Sequence, residues 1–347
     1  MAYNNNGSYT AGLCEAILTS LSQHSGANNP MTKRTPVGYV ESLISPFNFA
    51  GGVQVIPVQV GTKLRQVRIK YMTRATEDII SDTRSEDCTF DYYDDFVEET
   101  VTLQEYAEVV WALDKYDMRD ICESPDEMVS MTLQNKIDAL IKNINKRLLA
   151  KQALNFGTNI RTGSAAATDV QVLTSTSAAD QVGLQDLIQD YTEYNQYAGT
   201  PILVGSGNIA RALATIETGC CNQEGVDMLA LSNTLGFSYF LDTTIQGVLG
   251  SNQFAILAPG TTHFLGWNEY EGYNVTNFPT SSTTTIVDPR TGLDLDFKLV
   301  YDECKEKWFL KLSKHFDLFT QPADAMDASD ELYGTTGTLR YTATKAS

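Results

Sequence analysis

The chain has 347 residues, 42% of them hydrophobic, enough for a substantial core in one large or two medium domains. A formal charge of −18 gives a surface that repels phosphate backbones and excludes groove-reading DNA recognition. Six cysteines (Cys14, Cys88, Cys122, Cys220, Cys221, Cys304) form no C-x-x-C pair, which suits synthesis in a reducing cytosol.

Residues 1–60 are rich in Asn, Gly, Ser and Pro, with one short helical stretch, "GLCEAILTSLSQ", and an extended tract, "VQVIPVQVG". They read as an arm that gains order by lying on another surface. The start lacks the basic and apolar regions of a secretory signal, and no stretch approaches the ~18 apolar residues of a membrane span, so a soluble protein is expected.

Residues 63–112 are expected to form a long hairpin. "LRQVRIKY" places Val67, Ile69 and Tyr71 on one face and Arg68 and Lys70 on the other, and "EETVTLQEY" alternates through Val101 and Leu103. Residues 63–75 carry five bases and no acid, whereas residues 76–99 carry ten acids and only Arg84. A two-stranded ribbon is not stable alone in water and needs a surface to cover its apolar face.

Ser124, Pro125 and Glu127 spell an N-cap, a first-turn proline and a capping box. Val129, Leu133, Ile137, Leu140, Ile141, Ile144 and Leu148 then keep helical spacing, and the stripe is expected to run on to Leu154 as a core-facing strut. A Thr/Ala/Ser-rich connector (162–180) leads to a helix with Leu184, Leu187, Ile188 and Tyr191 on one face. Strands are expected in "PILVG", "GFSYFLDTTI" and "NQFAILAPGTTHFLGW", and a strand pair in "LDLDFKLVYDECKEKWFLKLSKHFDLFTQP". From Ala323 on the chain is small and polar and reads as a tail. The fold class is α+β.

Chemistry-bearing motifs are sparse. Gly205, Gly207 and Ala210 match G-x-G-x-x-G/A after the apolar run Ile202–Val204, as in a dinucleotide-binding turn. That reading needs a second parallel strand ending in an acid about 20 residues on; Glu224 has the spacing but no strand before it, so a plain strand-to-helix turn is preferred. His24, His263 and His315 form no i, i+4 metal pair, and adjacent Cys220 and Cys221 lack redox spacing. "DYYDDFVEE" lacks the spacing of a calcium loop and reads as a solvated or partner-facing acidic surface. Neither a nucleophile elbow nor a P-loop occurs. No enzyme, cofactor or metal site is expected.

The order of parts, with "PILVGSGNIARAL", "GFSYFLDTTI", "NQFAILAPGTTHFLGW" and the closing "KWFLKLSKHFDLFTQP", resembles the major capsid protein of tailed double-stranded DNA phages, the Hong Kong 97-like capsid fold. The resemblance implies an N-terminal arm (1–60), an E-loop (61–115) and a peripheral domain (116–183) holding a spine helix (125–154). It further implies an axial domain (184–272) and a return to the peripheral domain with a C-terminal tail (273–347).

It implies a structural protein of the virion capsid, made in the host bacterial cytoplasm and assembling into hexamers and pentamers of an icosahedral shell. Packaged DNA would be enclosed without sequence-specific binding, and no membrane would be involved. Expected partners are further copies, a portal, a separate scaffolding protein and decoration proteins. An encapsulin-like compartment and a dinucleotide enzyme using Gly205, Gly207 and Ala210 are the alternatives.

In the family each E-loop reaches over a neighbouring subunit. The resemblance therefore nominates Asp91, Asp94, Asp95, Glu98 and Glu99 to meet a neighbour's Arg65, Arg68, Lys70 or Arg74, with Phe90, Tyr92, Tyr93 and Phe96 buried between subunits. Some members crosslink through an E-loop lysine. Here no lysine lies between Lys70 and Lys115, so shells held without covalent links between subunits are expected.

Overall fold

The computed structural model describes residues 35–46, 48, 54–57, 65–72, 96–114, 125–171, 186–197, 199–209, 237–269, 281–288, 290–322 and 336–344. In chain order these give α1 (Gly38–Ile44), β1 (Gln54–Pro57), β2 (Gln66–Met72), β3 (Phe96–Thr102), β4 (Glu105–Asp114), α2 (Pro125–Gln152), β5 (Thr168–Gln171) and β6 (Ile202–Gly205). There follow β7 (Ser238–Leu241), α3 (Ile245–Val248), β8 (Gln253–Leu257), β9 (Thr262–Trp267), β10 (Ser281–Val287), β11 (Asp294–Asp302), β12 (Lys307–Thr320) and β13 (Thr338–Thr344).

The strands make three sheets. The first is the antiparallel ribbon β1-β2-β3. The second runs β10-β11-β12-β4, with β9 also on β12. The third is mixed, β5-β13-β8-β6-β7, with β13 parallel to β5 and β6 parallel to β7. Long β12 organises the second sheet: β4 pairs along one edge, while the other edge is shared end to end by β11, as far as Ser313, and β9, from His315.

Helix α2 lies across this sheet because its apolar residues recur at three and four positions. Leu133, Ile137, Ile141, Ile144 and Leu148 are buried in one cluster with Leu310, Leu312 and Phe316 of β12 and Phe297 of β11. The expected stripe was too long by two residues: the helix stops at Gln152, and Leu154, in the turn beyond it, is 85% exposed. Ile188 also departs from its expected face. Leu187 and Tyr191, four apart, are buried, and Ile188 beside them points outward at the entry to a π-helical turn (Asp190–Tyr194).

Two segments read as irregular are strands. The Thr/Ala/Ser connector contains β5, and the expected polar tail contains β13, which sits between β5 and β8 with Leu339, Tyr341 and Ala343 buried. The run "NQFAILAPGTTHFLGW" divides between sheets, β8 in the mixed one and β9 on β12, with Gly260 at φ 78° in the turn between them.

A buried carboxylate joins these parts. Asp242, just past β7, accepts from Tyr39 N at 3.0 Å, Asn145 Nδ2 at 2.7 Å, Thr244 N at 2.7 Å, Thr244 Oγ1 at 2.8 Å and Ile245 N at 3.1 Å. Asn145, on α2, accepts in turn from Val40 N through its Oδ1 at 2.9 Å. The approach of α1 to β7 requires Gly38, where a Cβ would stand 2.5 Å from Leu241 O.

Replacing Asn145 with Ala should leave Val40 N and part of the Asp242 carboxylate unpaired in the interior. The expected cost is about 2–4 kcal/mol, read as a lowered urea midpoint of the unassembled chain; a shift below about 0.5 kcal/mol would mean that the network is dispensable.

Candidate inter-subunit surface

The ribbon sheet brings opposite charges together within one chain. Its register sets Lys70 opposite Glu98 and Ile69 opposite Glu99. Arg68 Nε lies 2.9 Å from Glu98 Oε1, a half-exposed pair worth about 0–1 kcal/mol. Arg65 precedes β2, is exposed, and holds its guanidinium 6.0 Å from the Tyr106 ring centroid. Phe96 opens β3 opposite Met72, and Glu99 is exposed. Arg74, Phe90, Asp91, Tyr92, Tyr93, Asp94 and Asp95 lie outside the described residues.

The other face of the ribbon is covered at its base by the chain's own second sheet. Val67, Ile69, Tyr71 and Leu103 are buried against Leu265 of β9 and Phe319 of β12, with the Tyr71 and Phe319 rings 5.5 Å apart. Between β3 and β4 the chain leaves the ribbon and joins β12, and Gln104 N donates to Asp317 Oδ2 at 3.1 Å. Lys151 of α2 binds the other Asp317 oxygen at 2.5 Å and Glu105 at 3.5 Å. The ribbon root, the long helix and β12 are thus tied at one point.

Beside this root the outer face of the second sheet carries a cluster that sequence reading missed. Tyr106 Oη donates to Glu108 Oε2 at 2.6 Å, and Lys311 Nζ lies 2.7 Å from the same oxygen and 5.4 Å from the Tyr106 ring centroid. Lys311 and Tyr106 hold the Glu108 carboxyl below its usual range. His315 stacks on Tyr106 at 4.3 Å and is buried. Burial first, then the Arg65, Lys311 and Lys314 cations, pull its pKa down to about 4. These residues alternate along their strands, but only the β4–β12 register, with His315 opposite Tyr106, brings them together.

The glycine-rich turn follows β6, which does have a parallel neighbour in β7, further along the chain than a dinucleotide fold places it. The acid at the end of β7 is Asp242, whose two oxygens are occupied by backbone and side-chain donors inside the protein. Neither Gly205 nor Gly207 has a positive φ. At Gly205 the constraint is space, since a Cβ would stand 3.2 Å from Tyr239 Oη. His263 is buried, its Nε2 donating to Gly260 O at 2.9 Å, and burial lowers its pKa. Cys304 is an exposed free thiol, while the other five cysteines and His24 lie outside the described residues. Among the described residues no three His, Cys, Asp or Glu side chains converge as metal ligands, and no helix is long and apolar enough to cross a membrane.

No family model and no curated protein sequence matches the chain. Solved structures do. A chain of the cyanophage A-1(L) capsid asymmetric unit aligns with a TM-score of 0.55 at 12% identity, covering 92% of this chain and 96% of its own. The chain has a phage capsid fold. Structures from Mycobacterium phages Adephagia and Cain each give a TM-score of 0.50 at 12% identity. The Adephagia match covers 93% of this chain and 95% of that one, and the Cain match 96% and 98%. Each of these matches spans more than nine-tenths of both chains.

Because folding lowers the His315 pKa to about 4 from an ordinary 6.5, the unfolded chain takes up this proton first as pH falls. The stability contributed by neutral His315 is complete above pH 6.5 and drains away between pH 6.5 and 4. His315→Phe keeps a ring against Tyr106 and does not titrate. Between pH 7 and 4.5 the native protein should therefore lose about 2 kcal/mol more than the variant in urea unfolding; parallel losses would assign the acid sensitivity elsewhere.

Proposed function

We propose that this chain is a major capsid protein that assembles with copies of itself into hexamers and pentamers of an icosahedral shell enclosing double-stranded DNA. The observation that carries the reading is the capsid fold, matched over more than nine-tenths of both chains at a TM-score of 0.55. In Hong Kong 97-like terms, β2 and β3 are the root of the E-loop, α2 is the spine helix, the second sheet belongs to the peripheral domain and the mixed sheet to the axial domain. The first 60 residues are the arm, whose extended tract contributes β1 alongside β2. A catalytic role finds no support in Asp242, which is spent on structure.

The ion pair within the ribbon refines the interface. Arg68 is held by Glu98 of its own chain, so the acidic segment 76–95 is left to meet a neighbour at other basic positions, Arg65 among them. Individual exposed pairs are weak, so their number sets register while apolar burial supplies most of the stability.

Electron microscopy and sedimentation of the protein expressed alone, and then with the phage's scaffolding protein, test the reading. Closed shells or sheets of five- and six-fold units are expected; a monomer under every condition would overturn it, and a co-purifying cargo enzyme would favour an encapsulin-like compartment. Reversing charge at Asp94 and Asp95 should reduce shell yield at low salt, where screening is weakest, with the difference shrinking as salt rises. On a denaturing gel the shells should give single subunits and no ladder.

A further inference from the structure

Lys314 is the residue of β12 at which one neighbour ends and the next begins. Ser313 pairs with Asp296 of β11 and His315 with Trp267 of β9. Continuing the β9 register by one residue sets Asn268 across from Lys314, while Asp294 opens β11 beside it. The three side chains meet there. Lys314, only 1% exposed, places Nζ 2.6 Å from Asn268 Oδ1 and 2.8 Å from Asp294 Oδ1. Asn268 Nδ2 donates to the other oxygen of Asp294, so one carboxylate bridges the amine and the carboxamide.

The site is shaped around the lysine. A Cβ at Gly266 would lie 2.9 Å from Lys314 Cε and 3.2 Å from its Nζ, so the stem runs over a position that has no side chain. Phe264 and Leu293 line the same place, which opens into a cavity of about 270 Å³. Burying an ammonium costs stability unless it is fully paired, and a hydrophobic isostere would serve a purely structural role at least as well. What the arrangement offers beyond packing is a nucleophile, an acyl group and a proton carrier held in contact.

We propose that Lys314 and Asn268 become joined by an amide bond within the chain, with Asp294 as the proton carrier. In the unreacted protein Asp294 is ionised: burial raises its pKa, but the Lys314 ammonium and the hydrogen bonds hold it below its usual range. Asp294 takes a proton from the Lys314 ammonium, and the freed lone pair attacks Asn268 Cγ to form the new C–N bond. The protonated Asp294 hydrogen-bonds the oxygen on which charge develops and then delivers its proton to Nδ2. The bond from Cγ to Nδ2 breaks, and the nitrogen leaves with the second Nζ proton as ammonium. An ammonium and a carboxamide thus become a secondary amide and an ammonium ion, with no oxidant, reductant or second substrate. The cavity gives the leaving group a way out.

This bond lies within one subunit and is independent of the capsid reading; it is compatible with single subunits on a denaturing gel. The test is mass spectrometry of the purified full chain. An intact mass lighter by one ammonia is expected, with trypsin failing to cut after Lys314 and a branched peptide carrying both Asn268 and Lys314. Lys314→Met and Asp294→Asn should each restore the full mass expected for their sequences, and Asn268→Asp should lose one water in place of ammonia. An unmodified intact mass would overturn the proposal. So would loss of ammonia with normal cleavage after Lys314, since that signature belongs to a cyclic imide at Asn268.

Discussion

Much of this structure depends on one carboxylate shut away from the surface. Asp242 is fully buried, and the donors that satisfy it come from three different elements. Tyr39 N belongs to the first turn of α1 and Ile245 N to the first turn of α3, so a single side chain caps two helices from outside their own sequence, where the helix dipoles favour a negative charge. Its third anchor, Asn145, sits in the apolar face of α2 and fixes where along its length that helix meets the mixed sheet. An apolar helix face can slide by a turn against an apolar sheet at modest cost, but a buried Asn–Asp contact allows only one register.

The second constraint is the length of β12. At 14 residues it outlasts every neighbour, so its far edge carries two different partners and its end reaches the ribbon root. A ribbon that projects from a body is held only as firmly as its root. Here the ribbon is continuous through Leu103 and Gln104 with β4, is clasped to β12 by Asp317, and is clasped to α2 by Lys151.

What the sequence disclosed follows from periodicity. The stripe from Leu133 to Leu148 and the alternation Val67, Ile69, Tyr71 each bury one face against one surface, and local spacing reports that directly. β13 was hidden because "TLRYTAT" has only three buried apolar residues, one of them alanine, and follows a polar stretch. The division of β8 from β9 was hidden for a different reason: both runs look like buried strands, and nothing local says which sheet each will join. The cluster of Tyr106, Glu108, Lys311 and His315, like the meeting of Lys314, Asn268 and Asp294, needs strand register across about 20 to more than 200 residues, which composition does not encode.

The position of β13 also orders events in time. The mixed sheet cannot be closed until residues 338–344 exist, because that strand lies between β5, made some 170 residues earlier, and β8. At translation rates of roughly 5–20 residues per second, β5 waits on the order of 10–30 s for β13, its only strand partner among the described residues. Such long-range pairing is slow to form. A chain still on the ribosome, or one cut short before residue 338, therefore presents an unfinished sheet, with the edges of β5 and β8 that β13 covers still open.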